Sequence, residues 1–381
     1  MKKLNISKLY IKRFLSRIIL ISIFLFALQA KAVEKLERDS LERLAARMLI
    51  VGFKGDVITS DNPVVSYLKD TKVGGIILFD IDLTGTRKLG SRNITGREQL
   101  QQLTDSLRHI AGYPVVITAD QEGGLVQRLK PQYGYEAVPS AKTIGKIGNV
   151  DTTYYWGTVM AKQLKEAGIN LNLAPEVDIH KDDCPVIGKL DRSYSIDPDS
   201  VALHATVTID AFHDNGVKVT LKHFPGHGSA TADSHYGLTD VTNTWNESEL
   251  IPFKTLIDLD KADAIMTAHI FNRNLDPDYP ATLSKKIITD LLRDQLNYDG
   301  VVITDDLYMQ GIIDNYSIEE ALTLAINAGA DMIIVGNNIT TGFEADRPAK
   351  LVKIIADAVE SGDIDVARLQ EANLRIDELL R

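Results

Sequence analysis

A segment rich in histidine, glycine and small residues, KHFPGHGSATADSHYGL, runs from Lys222 to Leu238. Three of the chain's eight histidines, His223, His227 and His235, fall in it, and Asp233 lies two positions before the last of them. Residues two apart in an extended stretch point to the same side, so Asp233 and His235 can form a hydrogen bond. A carboxylate bound to an imidazole fixes the tautomer of the ring and raises its basicity. Such a pair can give and take a proton near neutral pH.

Two other interpretations of this segment stay open. His223, His227, Asp233 and His235 are residue types that bind zinc. However, their spacing, H-x3-H-x5-D-x-H, matches no strong zinc template, and a glycine-rich loop, which we expect to be mobile, is a poor frame for a tetrahedral site. The segment can also be read as a turn that is merely rich in histidine.

A second candidate for chemistry is the first aspartate of VVITDDLYMQG, residues 301–311. Asp305 directly follows a run of apolar and β-branched residues that predicts a buried strand. A carboxylate at the end of a strand can attack an electrophilic carbon, stabilise a cation or bind a metal. The structural alternative is an aspartate that caps the following helix, which is common.

The elements that must position these residues follow an alternating pattern. Eight short apolar runs recur, and near-continuous apolar runs are typical of strands buried on both faces of a parallel sheet. With helical patterns between most of them, they predict a (β/α)8 barrel. An open doubly wound sheet is the alternative, weakened because no glycine-rich phosphate loop follows the first run. The runs are MLIVGF (48–53), GIILF (75–79), VVITAD (115–120), INLNLA (169–174), VKVTLKHF (217–224), AIMTAHI (264–270), VVITDD (301–306) and MIIVG (332–336).

Helix boundaries can be predicted at two places. Thr95 with Glu98, and Ser317 with Glu320, have the spacing of a capping box at a helix start. Gly329 is expected to end the second helix. The first helix shows an apolar stripe formed by Leu100, Leu103, Leu107 and Ile110.

The barrel prediction also indicates where an active site should lie. In such barrels the site forms at the carboxyl ends of the strands. Polar residues that end the apolar runs are therefore the candidates, although for any one of them helix capping remains an alternative. They are Asp80, Asp120, Glu176, Asp178, Lys222, His223, His269, Asp305 and Asp306.

The first 32 residues have the pattern of an export signal. Six basic residues and no acid precede the apolar run Ile18–Leu28, and Ala30–Ala32 supplies small residues for cleavage after Ala32. An uncleaved anchor is the alternative, but the run is short for a spanning helix, which needs about 20 residues. We therefore expect a signal peptide over 1–32, a mature domain over 33–381 and a periplasmic or secreted location.

Charge and cysteine content exclude further classes. Removing residues 1–32 with their seven positive charges takes the net charge from −10 to −17. An acidic surface argues against nucleic acid and anionic membrane as partners. Cys184 is the one cysteine, so the chain can form no internal disulfide. With 44% apolar and 25% charged residues, the composition is that of a globular enzyme.

Four motifs together resemble glycoside hydrolase family 3, in its β-N-acetylglucosaminidase branch. KHFPGHGSATADSHYGL is similar to the signature of that branch, and three other segments agree with it in family order. These are ADQEGGLVQRL (119–129), PVIGKLDRSYSIDP (185–198) and ITDDLYMQGI (303–312). Any one motif would be weak evidence, whereas the combination is specific.

The resemblance implies a (β/α)8 barrel and a retaining hydrolase of terminal β-linked N-acetylglucosamine, with no metal and no other cofactor. It implies that Asp305 is the nucleophile, His235 the general acid/base and Asp233 its partner. Asp306 is expected to have a supporting or helix-capping role. Sugar hydroxyls would be bound by Asp120, Arg128, Arg192, Lys222 and His223.

Some features depart from the family pattern. Ser229 and Ala230 stand where acidic residues or threonine are frequent, and Asp191 stands where glycine or glutamate is more usual. The aspartate at position 191 leaves the fine substrate preference open. Peptidoglycan fragments and chitooligosaccharides are the expected substrates, and the oligomeric state is left open. A β-glucosidase or sugar phosphorylase on the same barrel, and a non-catalytic wall-sugar-binding protein, are the alternatives.

Overall fold

The computed structural model describes residues 38–233, 237–339 and 342–381. It distinguishes two units, Met1–Ser40 and Leu41–Arg381. Of the first unit, residues 38–40 are described, as the start of the helix Arg38–Arg47. The predicted export signal therefore lies outside the described residues. The architecture below is that of the second unit.

Within the described residues, eight parallel strands form one sheet. Strands β1 to β4 are Leu49–Gly52, Gly75–Ile77, Val116–Ala119 and Leu171–Asn172; β5 to β8 are Lys218–Phe224, Ala264–Thr267, Val301–Thr304 and Ile333–Val335. From β1 to β7 each strand pairs in parallel with the next, and β1 also pairs with β8.

The sheet closes between β7 and β8. A bridge joins Ile303 to Met332, and the amide of Thr304 donates to the carbonyl of Met332 at 2.9 Å. The result is a (β/α)8 barrel, as predicted, with a strand inside each of the eight apolar runs. Strands such as β7 are buried along their whole length, which explains why their sequences are continuously apolar instead of alternating.

Helices surround the barrel and pack their apolar faces on it. In the first helix after β2, Leu100, Leu103 and Leu107 of the predicted stripe are buried. Burial of each such side chain contributes roughly 1.5–3 kcal/mol. The helices following β1 to β4 are Pro63–Ser66 continued by a π-helix at Tyr67–Thr71, Arg97–Ala111, Ala141–Ile147 with Val150–Glu166, and Pro198–Asp214. Those following β5 to β8 are Ile251–Asp258, the π-helix Lys286–Gln295, Gln310–Ile313 with Ile318–Ala328, and Arg347–Ser361, which is followed by Val366–Leu379.

One of the two predicted helix starts is correct. Ser317 is the N-cap of Ile318–Ala328 and accepts a hydrogen bond from the amide of Glu320, and Gly329, with φ of 117°, ends that helix. The capping box predicted for Thr95 and Glu98 is wrong.

The helix after β2 begins at Arg97, and its N-cap is Gly96, which has no side chain to accept a bond. The hydroxyl of Thr95 instead binds Asp56, while the side chain of Gln99 accepts from the amide of Thr95. A contact across 39 residues of sequence has displaced the local one.

The loops at the carboxyl ends of the strands contain short paired segments. Gln121–Gly123 and Val126–Gln127 form a hairpin directly after β3. Thr239–Asp240, beyond β5, pairs with Ile270–Phe271, beyond β6. No helix in the described part of the chain is long and apolar enough to span a bilayer.

Candidate active site

A cavity of about 370 Å³ opens at the carboxyl ends of the strands. The structure describes seven of the eight residues predicted for the site, and all seven line this cavity. His235 lies outside the described residues. The seven are Asp120, Arg128, Arg192, Lys222, His223, Asp233 and Asp305. The predicted residues are thus brought to one place from the ends of four strands, β3, β4, β5 and β7.

Lys222, near the end of β5, connects two carboxylates. Its ammonium group lies 2.8 Å from Asp120 Oδ1 and 2.7 Å from Glu122 Oε1, and its side chain is 2% exposed. Asp120 also accepts from Arg128 Nη2 at 2.8 Å. Burial opposes ionisation of Asp120, but Lys222 and Arg128 outweigh it and lower the pKa of this carboxyl below its ordinary value.

Glu122 binds a second cation through both of its oxygens. Nε and Nη2 of Arg192 each lie 2.8 Å from one oxygen of Glu122, which is the bidentate geometry that favours arginine over lysine. Burial raises the pKa of Glu122, yet Arg192 and Lys222 lower it to about 2. We call Asp120, Glu122, Arg128, Arg192 and Lys222 the charged wall, because each member is held by an opposite charge.

His223 is held at the edge of the charged wall by Asp178. His223 Nδ1 lies 2.7 Å from Asp178 Oδ2, and His223 Nε2 lies 3.3 Å from Arg192 Nη2. A guanidinium only donates, so Nε2 accepts and the proton of the neutral ring is on Nδ1. The ring is therefore fixed in one tautomer and one orientation.

Asp178 is itself fully buried and also accepts from the amide of His227 at 2.7 Å. Burial disfavours its charge, but hydrogen bonds and charge from His223 lower its pKa below the ordinary value. The pKa of neighbouring Glu176 is raised well above its ordinary value by burial and by Asp178. These opposite shifts favour the protonated form of Glu176 and the ionised form of Asp178.

Within the described residues, Glu176, Asp178 and His223 form a group whose ligand atoms lie within 4.8 Å of one another, close enough to hold a metal ion. In the present arrangement the three residues bind one another: His223 donates to Asp178, and Glu176 Oε1 accepts from the backbone amide of Asp178 at 2.9 Å. This group differs from the zinc set considered from the sequence, since His227 and Asp233 are not in it.

Asp305 directly follows β7 and lines the cavity at the ends of strands β6 to β8. The amide of Asp306 donates to Asp305 Oδ1 at 2.8 Å. The carboxylate of Asp306 accepts from the amides of Tyr308 at 3.0 Å and Gly336 at 3.1 Å, which joins the end of β7 to the end of β8. Gly336 is required there because a Cβ would lie 2.7 Å from Asp306 Oδ2.

The segment that carries Asp233 begins as a buried turn. Residues 226–230 are all buried, and the amide of Gly228 donates to Glu249 Oε2 at 3.1 Å. This differs from the mobile loop expected from the glycines: the freedom of Gly226, with φ of 117°, is used to make a tight fit against Glu249. Asp233 itself is partly exposed at the cavity.

Two residues of the site were missed from the sequence. Glu122 lies inside a motif that was recognised, so its charge within ADQEGGLVQRL is the signal that could have found it. Glu249 is buried in a 3₁₀ turn far along the chain, and no local pattern indicates its contact with the segment of Asp233. The side chains of Glu122 and Glu249 both bind other groups of the protein.

The family model of the glycosyl hydrolase family 3 N-terminal domain matches residues 40–379. The chain belongs to glycosyl hydrolase family 3. Among family members, a beta-hexosaminidase of Tolumonas auensis is 38% identical over 276 residues, covering 71% of this chain and 78% of its own length. A beta-hexosaminidase of Haemophilus influenzae is 36% identical over 296 residues, covering 76% and 79%.

Solved structures of the family share the barrel. A glycoside hydrolase family 3 beta-N-acetylglucosaminidase from a Paenibacillus species superposes with a TM-score of 0.80 at 34% identity over 89% of this chain, which spans only 62% of that longer one. A beta-N-acetylhexosaminidase from Beutenbergia cavernae gives 0.78 at 26% identity over 89% of this chain and 98% of its own.

Proposed function

We propose that the protein is a retaining exo-β-N-acetylglucosaminidase that works through a covalent glycosyl ester on Asp305. The observation that carries this proposal is that Asp305 and Asp233 lie in one cavity with His223 and with four members of the charged wall, Asp120, Arg128, Arg192 and Lys222. Family membership and relatives named beta-hexosaminidase support it.

The charged wall and His223 would bind the terminal sugar. The carboxylate of Asp120 accepts from sugar hydroxyls, and the donors of Arg128, Arg192 and Lys222 bind their oxygens. Because every wall residue is already held by a partner, the wall presents these groups with little rearrangement when the sugar binds.

In the first displacement, Asp305 Oδ2 attacks the anomeric carbon while the bond from that carbon to the leaving oxygen breaks. His235, as imidazolium with Asp233 as its partner, gives the leaving oxygen a proton. In the second, water attacks the same carbon, neutral His235 takes the proton from the water, and the ester to Asp305 breaks. Two displacements retain the β configuration.

The reaction course tests this proposal. We expect the purified protein to hydrolyse 4-nitrophenyl N-acetyl-β-glucosaminide, with β-N-acetylglucosamine as the first product in a proton NMR time course. The aryl β-glucoside should react far more slowly, and added phosphate should yield no sugar phosphate. Loss of activity on chelation, or the α anomer as first product, would contradict the mechanism.

The natural substrates follow from the same assignment together with the N-terminal sequence. We propose that residues 1–32 direct export and are removed, so that the enzyme meets peptidoglycan fragments or chitooligosaccharides outside the inner membrane. The terminal N-acetylglucosamine of either substrate carries no charge, so the acidic mature chain does not oppose its binding. Fractionating cells that express a C-terminally tagged chain, with mass spectrometry of its N-terminus, checks this; uncut protein in the cytoplasm would contradict it.

A further inference from the structure

The end of β6 carries a buried histidine that takes no part in the mechanism above. His269 is 0% exposed, with Nδ1 2.8 Å from the hydroxyl of Thr282 and Nε2 3.0 Å from the backbone carbonyl of Asp306. A carbonyl only accepts, so Nε2 bears the proton and donates to Asp306. The ring therefore links the end of β6 to the segment after β7.

Asp306 in turn determines where Asp305 points. Its amide donates to Asp305 Oδ1 at 2.8 Å, while its own carboxylate is bound by amides at Tyr308 and Gly336. The bond from His269 holds the third polar group of the same residue, its carbonyl. Movement of Asp306 at any of these points would carry the carboxylate of Asp305 with it.

His269 also lies next to the segment that carries Asp233. The strand Ile270–Phe271 follows it directly and pairs with Thr239–Asp240, where that segment ends. Residues 269–271 thus contact the nucleophile side of the cavity through one side chain, and through backbone pairing they contact the residues that directly follow the Asp233 segment.

We propose that His269 is a positioning residue, which fixes Asp305 through the carbonyl of Asp306 and sets its place relative to the segment carrying Asp233. This inference rests on the proposed function, since Asp305 matters here as the nucleophile. It predicts that loss of the Nε2–H donor slows the attack on the sugar and leaves sugar binding unchanged, because the charged wall lies on other strands.

A merely structural role is the alternative, and the chain contains a matched control for it. His204 is also buried, at 3% exposure, and its Nδ1 also lies 2.8 Å from a threonine hydroxyl, that of Thr153. It lies on the helix Pro198–Asp214 and is not among the residues lining the cavity. Its replacement reports the effect of losing a buried histidine–threonine pair alone.

The experiment compares His269→Gln, His269→Asn and His204→Asn. Glutamine places an N–H near the position of Nε2, whereas asparagine reaches the Thr282 hydroxyl but not the Asp306 carbonyl. We expect His269→Asn to lower kcat about 100-fold, the usual effect of a misplacement of about 1 Å, with KM within about twofold of the original. His269→Gln should keep kcat within about tenfold, and His204→Asn should leave kcat unchanged at equal folded fraction.

Equal kcat for the two His269 variants would overturn the inference. A loss of activity that comes only from a lower folded fraction or a higher KM would overturn it as well. A crystal structure of His269→Asn decides it independently of turnover. A displaced Asp305 carboxylate supports the positioning role, and an unmoved one contradicts it. If the unmodified protein hydrolyses no aryl glycoside, the proposed function fails, while the crystal structure still decides what His269 does.

Discussion

The two sides of the cavity are built in different ways. On one side, the charged wall consists of side chains held by opposite charges, with Lys222 shared between two carboxylates. On the other side, Asp305 and Asp306 accept hydrogen bonds from backbone amides, and the carbonyl of Asp306 accepts one from His269. The wall is stabilised by ion pairs in a buried place, and the nucleophile side by hydrogen bonds to the main chain.

This difference separates binding from reaction. A buried network of paired charges is costly to disturb, because removing one member leaves another charge uncompensated. On the nucleophile side the donors named above are uncharged, so losing one of them shifts the position of Asp305 without leaving a partner charge uncompensated. Substitutions on the wall should therefore affect folding and KM, whereas substitutions on the nucleophile side should affect kcat.

The largest effect is expected on the nucleophile side. Asp305→Gly should lower kcat by about 10⁴-fold or more, as loss of a nucleophile generally does. Added azide should restore part of the turnover, because it fits the vacated position, and the product should be the α-linked glycosyl azide. Both are measured with an aryl glycoside and NMR of the product.

The control for that rescue lies on the charged wall. Lys222→Met, which keeps the nucleophile, should gain nothing from azide. A β-linked azide from Asp305→Gly, or equal rescue of both variants, would contradict the assignment of Asp305.

Next in size is the effect of Lys222→Met on stability. It removes the cation shared by Asp120 and Glu122, so unfolding in urea should show a loss of about 3–5 kcal/mol, and KM should rise. Lys254→Met is the matched control, because its pair with Asp258 is about 60% exposed and contributes less than about 1 kcal/mol. Equal stability of the two variants would show that the wall is not a network of buried charge.

The smallest effect concerns Glu249, which holds the turn leading to Asp233. Burial raises its pKa from 4.5 to about 7, so the folded state keeps a proton that the unfolded state releases. The resulting contribution to stability is complete below about pH 4.5 and is lost as pH rises through 7, a change of about 3 kcal/mol. Glutamine at position 249 does not titrate. The Tm of Glu249→Gln, measured relative to that of the original protein, should therefore rise between pH 5 and pH 8.

Glu247→Gln provides the comparison for this pH series. Glu247 is an exposed carboxylate in the same 3₁₀ turn. Its replacement should leave the Tm difference flat across the same range. A flat difference for Glu249→Gln as well would mean that this carboxyl ionises without cost in the folded protein.

The barrel was predictable because its strands are buried on both sides, which leaves continuous apolar runs such as VVIT in β7. Residues at the ends of those runs could then be assigned to one rim. Of the nine candidates, six line the cavity: Asp80, Asp120, Lys222, His223, Asp305 and Asp306. The pairing of Glu122 with Arg192 could not be predicted, since it joins residues 70 positions apart. A contact between residues distant in the sequence also explains why the capping box predicted at Thr95 is wrong, since the hydroxyl of Thr95 binds Asp56.

The most direct test of the account is to trap the covalent intermediate with 5-fluoro-N-acetylglucosaminyl fluoride and map the label by mass spectrometry. The account predicts one sugar per chain, attached to Asp305 in the peptide containing residues 303–312. Attachment to Asp306 or Asp233 would contradict it. Retaining turnover with no label on any carboxylate would also contradict it, because the acetamido group of the substrate would then be the nucleophile.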